Sequence, residues 1–301
     1  MSDTNLFRVN PEVEDALREG RAVVALESTV IAHGLPRPLN LEAARRLEQI
    51  VREEGAVPAT IAVLKGVFTV GLSNDEIKRI AESQDVKKIS RRDLALAVAG
   101  GWDAATTVAS TMWAAHRAGL RVFATGGIGG VHRGSLPDVS ADLPELARTP
   151  MIVVCSGAKI VLDLPATREW LETHGVTLLG YGVEEMPAFY SRSSGLMVDA
   201  RVDSPAEVAR IASAQRALKT EGAIVVTVPV PEKWEVPAEL LQTVLSGALE
   251  DAARLGIKGR ELTPYLLTRM SEESEGATLQ ANVALLENNA RVAARIARAL
   301  S

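Results

Sequence analysis

Apolar, β-branched segments alternate along this chain with segments of helical period, and that alternation constrains the fold more than any other feature. It is the pattern of an α/β fold, with a central mixed, largely parallel sheet flanked by helices. Strands are expected at Ala22–Leu26, Thr60–Val63, Arg121–Ala124, Met151–Val154, Thr177–Gly180 and Ala223–Val228. The helix starts between them carry their own signals. Ser73-Asn-Asp-Glu76 and Ser204-Pro-Ala-Glu207 read as capping boxes, the second with proline at the first helical position. Ser90-Arg-Arg-Asp93 reads as a third, just before Leu94–Ala99. Gly175 and Gly256 stand where helix C-terminal glycines belong. Leu279–Leu300 closes the chain with one long helix. No linker-like Ser/Gly- or Pro-rich stretch and no solenoid or propeller repeat is present. Residues 1–301 therefore read as one large domain, with residues 1–18 peripheral.

Composition removes whole classes of protein. At 47% hydrophobic and 24% charged residues, the chain is neither disordered nor collagenous nor fibrous. Apolar runs such as Met151–Cys155 fall far short of the ~20 residues a membrane helix needs. Met1-Ser-Asp-Thr-Asn5 has neither the basic nor the apolar region of a secretory signal. A single cysteine, Cys155, suits a reducing compartment. A formal charge of −5 argues against a protein that coats nucleic acid. The expectation is a soluble, cytoplasmic enzyme acting on a small molecule, with no nucleic-acid or membrane partner.

Four clusters sit where strands are expected to end, which is where ligands bind in open α/β sheets. The first is Glu27-Ser-Thr29, where Glu27 is either a turn cap or a general acid at a strand tip. His33-Gly-Leu-Pro36, just downstream, reads as a rigid turn able to close over a site. The second, Thr125–Gly134, is either a flexible, anion-friendly cradle of backbone N–H groups or a tight turn with His132 and Arg133 at the surface. It matches neither nucleotide fingerprint, because His132 stands where the dinucleotide pattern needs its third glycine and Ser135 where the Walker pattern needs lysine. The third, Pro137-Asp-Val-Ser-Ala-Asp142, offers two carboxylates to a hard divalent cation, or ordinary caps and turns. The fourth places Lys159 between two apolar runs, whereas the other seven lysines look solvated. An amine there snorkels, pairs with a carboxylate, or loses its proton and becomes a Schiff-base nucleophile. Cys155 reads as a small buried hydrophobe.

These clusters, in this order, resemble the pseudouridine-5′-phosphate glycosidase family. The matching stretches are Ala25–Pro36, Lys88–Leu94, Ala105–Met112, Phe123–Gly134, Asp138–Leu143, Val153–Lys159, Pro187–Arg192 and Asn282–Ala294. The resemblance implies a general acid at Glu27, a Schiff-base nucleophile at Lys159 and a metal-binding aspartate at Asp138. It places substrate binding on Lys88, Val108, His132, Ser140, Ala141 and Asp142. An asparagine of the last helix, Asn282 or Asn289, would help bind the phosphate. It further implies one Mn²⁺, or another divalent cation, per subunit, and a homotrimer. Two stretches depart from the family pattern: the short segment Ser135–Pro137, and Val183-Glu-Glu-Met186.

The implied reaction is the reversible cleavage of pseudouridine 5′-phosphate to uracil and ribose 5-phosphate. Carbon is a poor leaving group, so the two-carboxylate route of ordinary glycosidases does not suffice. The family's route opens the ribose first, with Glu27 protonating the ring oxygen while Lys159 attacks C1′. Two other readings share these residues. One is an aldolase-like Schiff-base lyase acting on another sugar phosphate. The other is a nucleotide- or sugar-phosphate-binding module in which Glu27 and Lys159 are structural.

Overall fold

The computed structural model describes residues 6–134, 138–257 and 262–301, so the Met1–Asn5 stretch and the Ser135–Pro137 segment lie outside the described residues. Its strands are β1 (Phe7–Val9), β2 (Val23–Glu27), β3 (Val57–Leu64), β4 (Val67–Val70), β5 (Lys87–Ile89), β6 (Ala104–Thr106), β7 (Val122–Ala124), β8 (Ile152–Cys155), β9 (Thr177–Tyr181), β10 (Ala200–Val202) and β11 (Ile224–Thr227). The helices are α1 (Pro11–Arg18), α2 (Leu39–Glu53), α3 (Asn74–Glu82), α4 (Leu94–Ala99), α5 (Val108–Arg117), α6 (Asp142–Leu146), α7 (Leu164–Thr173), α8 (Pro205–Leu218), α9 (Ala238–Leu255), α10 (Leu262–Glu273) and α11 (Ala277–Ala299).

All strands described join one mixed sheet of order β1-β4-β3-β2-β7-β8-β11-β9-β10, with β5 and β6 attached through β3. From β3 across to β10 every pairing on this path is parallel. Strand β4 runs antiparallel to β3, and β6 is antiparallel to β3 on a second branch. The fold is the expected α/β architecture in a single domain, and each of the six expected strands forms. Central strands read as unbroken apolar runs because helices cover both faces; β3, β8 and β11 are buried at every position.

The helix signals held in most places. Ser73 and Glu76 close a full capping box on α3. At α8, Ser204 accepts from Glu207 N, but the Glu207 carboxylate takes the Asp203 N–H instead of closing the box. Ser90–Asp93 starts a 3₁₀ turn rather than an α-helix, with Asp93 accepting from Ser90 N at 2.9 Å. Gly256 caps α9 at φ 68°. Strands β1, β4, β5, β6 and β10 are not foreseen from the sequence, because each is only three or four residues long, too short to show a strand period. Residues 7–18 add edge strand β1 and helix α1, which buries Val13 and Ala16.

The topology places a site. Strand order reverses between β2, whose successors run one way, and β7, whose successors run the other. Such a reversal leaves a crevice at the strands' C-terminal ends, since the loops that follow diverge to opposite faces. Glu27 ends β2, Thr125 follows β7, and Ser156–Lys159 follows β8.

Candidate active site

A cleft of about 350 Å³ opens at this crevice, and its walls include Glu27, Lys88, Val108, His132, Asp138, Ser140, Ala141, Asp142 and Lys159. Nine residues from six separate segments thus meet at one place. Beneath the cleft lies a buried hydroxyl network. Ser28 Oγ donates to Ile61 O at 2.7 Å and accepts from Thr106 N at 2.9 Å, and Thr111 Oγ1 donates to Thr106 Oγ1 at 2.8 Å. It ties β2, β3, β6 and α5 together, and every member has a partner, as buried polar groups require.

Glu27 stands at the floor of the cleft. Burial pushes its carboxyl above the ordinary 4.5, against the opposing pull of Lys159 and of a hydrogen bond donated by Thr125 Oγ1. A carboxyl so placed keeps its proton to higher pH than a solvated one, which a general acid needs. Lys88 is half-buried and faces the same cleft, correcting its reading as a solvated lysine. Its ammonium is disfavoured, first by burial and then by Lys159, so its pKa lies below 10.5. Adjacent residues on a strand point to opposite faces, and Lys87 accordingly lies outside, over the Trp102 ring at 4.3 Å.

The glycine-rich loop is not the flexible cradle expected. Residues 126–130 are buried, and their glycines make room for neighbours. A Cβ on Gly129 would lie 2.1 Å from Ser140 Oγ, on Gly130 2.4 Å from Thr167 Oγ1, and on Gly127 2.7 Å from the Phe189 ring. The backbone N–H groups of Ile128, Gly129, Val131 and His132 donate to Gly157 O, Asp142 Oδ2, Thr167 Oγ1 and Asp138 O. They are not free for a phosphate. Asp142 is likewise occupied, since its Oδ1 accepts from Ala109 N at 3.0 Å in the first turn of α5 while Oδ2 holds Gly129.

Asp138 is exposed at the cleft, and no described residue hydrogen-bonds its carboxylate. No group of three or more His, Cys, Asp or Glu capable of holding a metal forms among the described residues. The two asparagines lie elsewhere. Asn282 lines a neighbouring cavity of about 410 Å³ with His33, Gly34, Pro36 and Tyr190. Asn289 is fully buried and hydrogen-bonded to backbone, reaching neither cavity. In place of the turn expected at His33–Pro36, a π-helical turn covers Val30–Gly34 and the chain is extended at Leu35; His33–Pro36 borders that second cavity. Burial lowers the His33 pKa below 6.5.

Reasoning from residues missed Thr125 as the partner of Glu27, and Ser90, Arg92, Thr107 and Thr263 as cleft residues. A hydroxyl directly after an apolar strand was the available signal at Thr125; nothing local marks Thr263, which reaches the cleft from α10. The departure Val183–Met186 does not line the cleft: Met186 is buried in the core and Glu184 is exposed. The Ser135–Pro137 departure lies outside the described residues.

An acid and an amine gathered at the switch point of a largely parallel sheet define an α/β enzyme site. The family model for the Indigoidine synthase A like protein matches residues 12–299. The pseudouridine-5′-phosphate glycosidase of Solibacter usitatus is 52% identical over 293 residues, covering 97% of this chain and 98% of the relative. That of Petrotoga mobilis is 46% identical, covering 99% and 98%. Among solved structures, the prealnumycin C-glycosynthase AlnA, in complex with ribulose 5-phosphate, superposes with a TM-score of 0.90 at 40% identity over 98% of this chain and 97% of that one. An indigoidine synthase A-like protein from Thermotoga maritima gives a TM-score of 0.90 at 37% identity, covering 99% and 97%. The chain is an enzyme of the pseudouridine-5′-phosphate glycosidase family.

Proposed function

We propose that this enzyme reversibly cleaves the C-glycosidic bond of pseudouridine 5′-phosphate, giving uracil and ribose 5-phosphate, through a ring-opened adduct on Lys159. The observation that carries the reading is the meeting of Glu27 and Lys159 in one cleft, where burial raises the Glu27 pKa above 4.5. The reacting form of Lys159 is the free amine. Its Nζ forms a bond to C1′ as C1′–O4′ breaks, and Glu27 gives its proton to O4′. The nitrogen then releases a proton to the Glu27 carboxylate and returns its lone pair to C1′. The C1′–C5 bond breaks, C5 of uracil takes up a proton, and an iminium stays on Lys159. Water adds to that iminium, freeing ribose 5-phosphate and the amine. Placing acid and nucleophile in one desolvated cleft supplies orientation as well as proton transfer.

Lys88 and Arg92 would meet the phosphate charge, since both line the cleft; Arg92 also lies 3.7 Å from the Asp93 carboxylate, which is not part of the cleft wall. Asp138 would hold the divalent cation. A single exposed carboxylate suits Mn²⁺ or Mg²⁺, which keep several waters and take substrate phosphate oxygens as further ligands. Bound there, the ion would supply charge neutralisation for the phosphate. The proposal includes a homotrimer in the cytoplasm, checked by sedimentation against three times the 32.1 kDa chain.

Incubation with pseudouridine 5′-phosphate and Mn²⁺, followed by borohydride and peptide mass analysis, tests the reading. Uracil release with a reduced ribose-phosphate adduct on Lys159, and loss of both in Lys159→Ala, is expected. Uracil without an adduct would overturn the Schiff-base route. Cleavage confined to sugar phosphates that carry no base would favour the aldolase-like lyase.

A further inference from the structure

The buried stripe of α11 carries one amide whose partners lie off its own helix. Asn289 is fully buried among Leu285, Leu286, Ala290 and Ala293. An amide in such a place is costly unless its donors and acceptor are met. Its Nδ2 donates to Thr125 O at 2.9 Å and lies 3.1 Å from Ser156 Oγ and 3.3 Å from Gly126 O. The Ser156 hydroxyl donates to its Oδ1 at 3.3 Å.

Thr125 and Ser156 are the first residues beyond β7 and β8. One rung of the ladder still links the two strand ends on each side, from Thr125 N to Val154 O and from Ser156 N to Gly126 O. The Thr125 carbonyl turns instead toward the helix, while Gly126 O keeps its ladder bond and has Asn289 Nδ2 at 3.3 Å as a second donor. Each strand end carries part of the chemistry. The Thr125 hydroxyl donates to Glu27, and Ser156 opens the turn that presents Lys159.

We propose that Asn289 is a positioning residue, which sets the separation of the Glu27 carboxyl and the Lys159 amine by joining both strand ends to one side chain of α11. It lines no cavity that a substrate enters and acts only through Thr125 and Ser156. Without it, the Thr125 carbonyl loses its donor and the Ser156 hydroxyl its side-chain partner, leaving only the two ladder bonds to hold the strand ends in place. The Thr125 hydroxyl then drifts from Glu27. This inference rests on the proposed function for its kinetic readout, but not for its geometry.

The test uses the full chain and the variants Asn289→Ala and Ser156→Ala, with pseudouridine 5′-phosphate cleavage followed across pH. In Asn289→Ala, kcat per folded molecule is expected to fall at least tenfold while KM stays within about twofold, because no substrate contact is lost. Thr125 lowers the Glu27 pKa, so losing that hydrogen bond raises it. The limb on which activity declines as Glu27 ionises then moves to higher pH. Ser156→Ala should move the same quantities in the same direction, by less. A lower Tm with kcat and the pH limb unchanged would mean a merely structural role and overturn the proposal. A raised KM with unchanged kcat would overturn it too, in favour of a substrate contact. A second readout needs no turnover: carboxyl ¹³C NMR of Glu27, assigned with Glu27→Gln, should show an upward pKa shift in Asn289→Ala, and an unchanged titration refutes the inference. If the wild type releases no uracil, the proposed function fails while the NMR titration still decides the role of Asn289. If Asn289→Ala does not fold, Ser156→Ala carries both readouts.

Discussion

Burial favours the acid form of Glu27, and the cost of that arrangement is measurable. Burial raises its pKa above 4.5, so the folded protein binds this proton more tightly than the unfolded chain does. Below about pH 4.5 both states carry the proton and the group leaves stability untouched. As pH rises from there, the unfolded chain ionises first and the folded state loses ground, until the folded carboxyl ionises too. Glu27→Gln removes this penalty. Its Tm is expected to match the wild type at the acidic end and to exceed it increasingly toward neutral pH, while kcat falls by about 10²–10⁴-fold. Calorimetry across pH, alongside uracil release, checks both; a Tm advantage that does not grow with pH would contradict the burial argument. At this scale the sequence was legible where chemistry is local. A carboxylate directly after an apolar run, and a lysine between two such runs, stood out at Glu27 and Lys159. Lys88 did not stand out, because its burial comes from segments distant in the chain. The position of Thr125 after a strand was visible, but its partnership was not, since Glu27 is 98 residues away.

Turns, rather than strands, carry the precision at the level of elements. The Ser156–Lys159 turn is gripped on one side by the glycine loop, through Ile128 N to Gly157 O and Lys159 N to Ile128 O. On its other side Phe189 N donates to Ser156 O at 3.0 Å, and Phe189 adopts φ 63°, a strained conformation for an aromatic residue. Gly157 lies between them at φ 82°, where a Cβ would stand 2.2 Å from Pro187 O. Gly157→Ala meets both the left-handed φ penalty and a backbone collision. A stability loss of about 2–4 kcal/mol is expected, with kcat/KM down about 100-fold, because an ångström at the proposed nucleophile, Lys159, weighs heavily. Denaturant melts and single-turnover kinetics check it, and near-wild-type values would show that the Pro187–Tyr190 segment yields. The glycines of 126–130 were plain in the sequence but their purpose was misread. A glycine admits either a free, anion-binding backbone or a close neighbour, and only the neighbours Ser140, Thr167 and Phe189 distinguish the two.

Across the whole molecule, α11 unites the parts. It packs on β2, β7 and β8 at the switch point and on α2 and α8 outside the sheet. Leu285, Val292, Ala293 and Ile296 lie buried along it, and Arg295 pairs with Glu54 at 2.9 Å. Truncation after Gly276 is expected to abolish folding of the entire chain rather than trim its end; a truncated protein with a cooperative melt would refute that. Length and periodicity sufficed to foretell this helix, the six central strands and the α/β class, since burial on a sheet or a helix face is written in local spacing. The short outlying strands were beyond such reading, because their pairing is set by neighbours rather than by their own residues. Strand order, the switch point and the meeting of six segments in one cleft depend on contacts between residues tens to hundreds of positions apart. No local pattern encodes such distances. The sequence by itself determined which residues have the right chemistry and which elements carry them. The tertiary structure alone decided that Lys88 joins Lys159, that the glycine loop packs against Ser140, Thr167 and Phe189, and that Asn289 reaches Thr125 and Ser156 and not the cleft, because burial and hydrogen-bond partnership exist only once the chain has closed on itself.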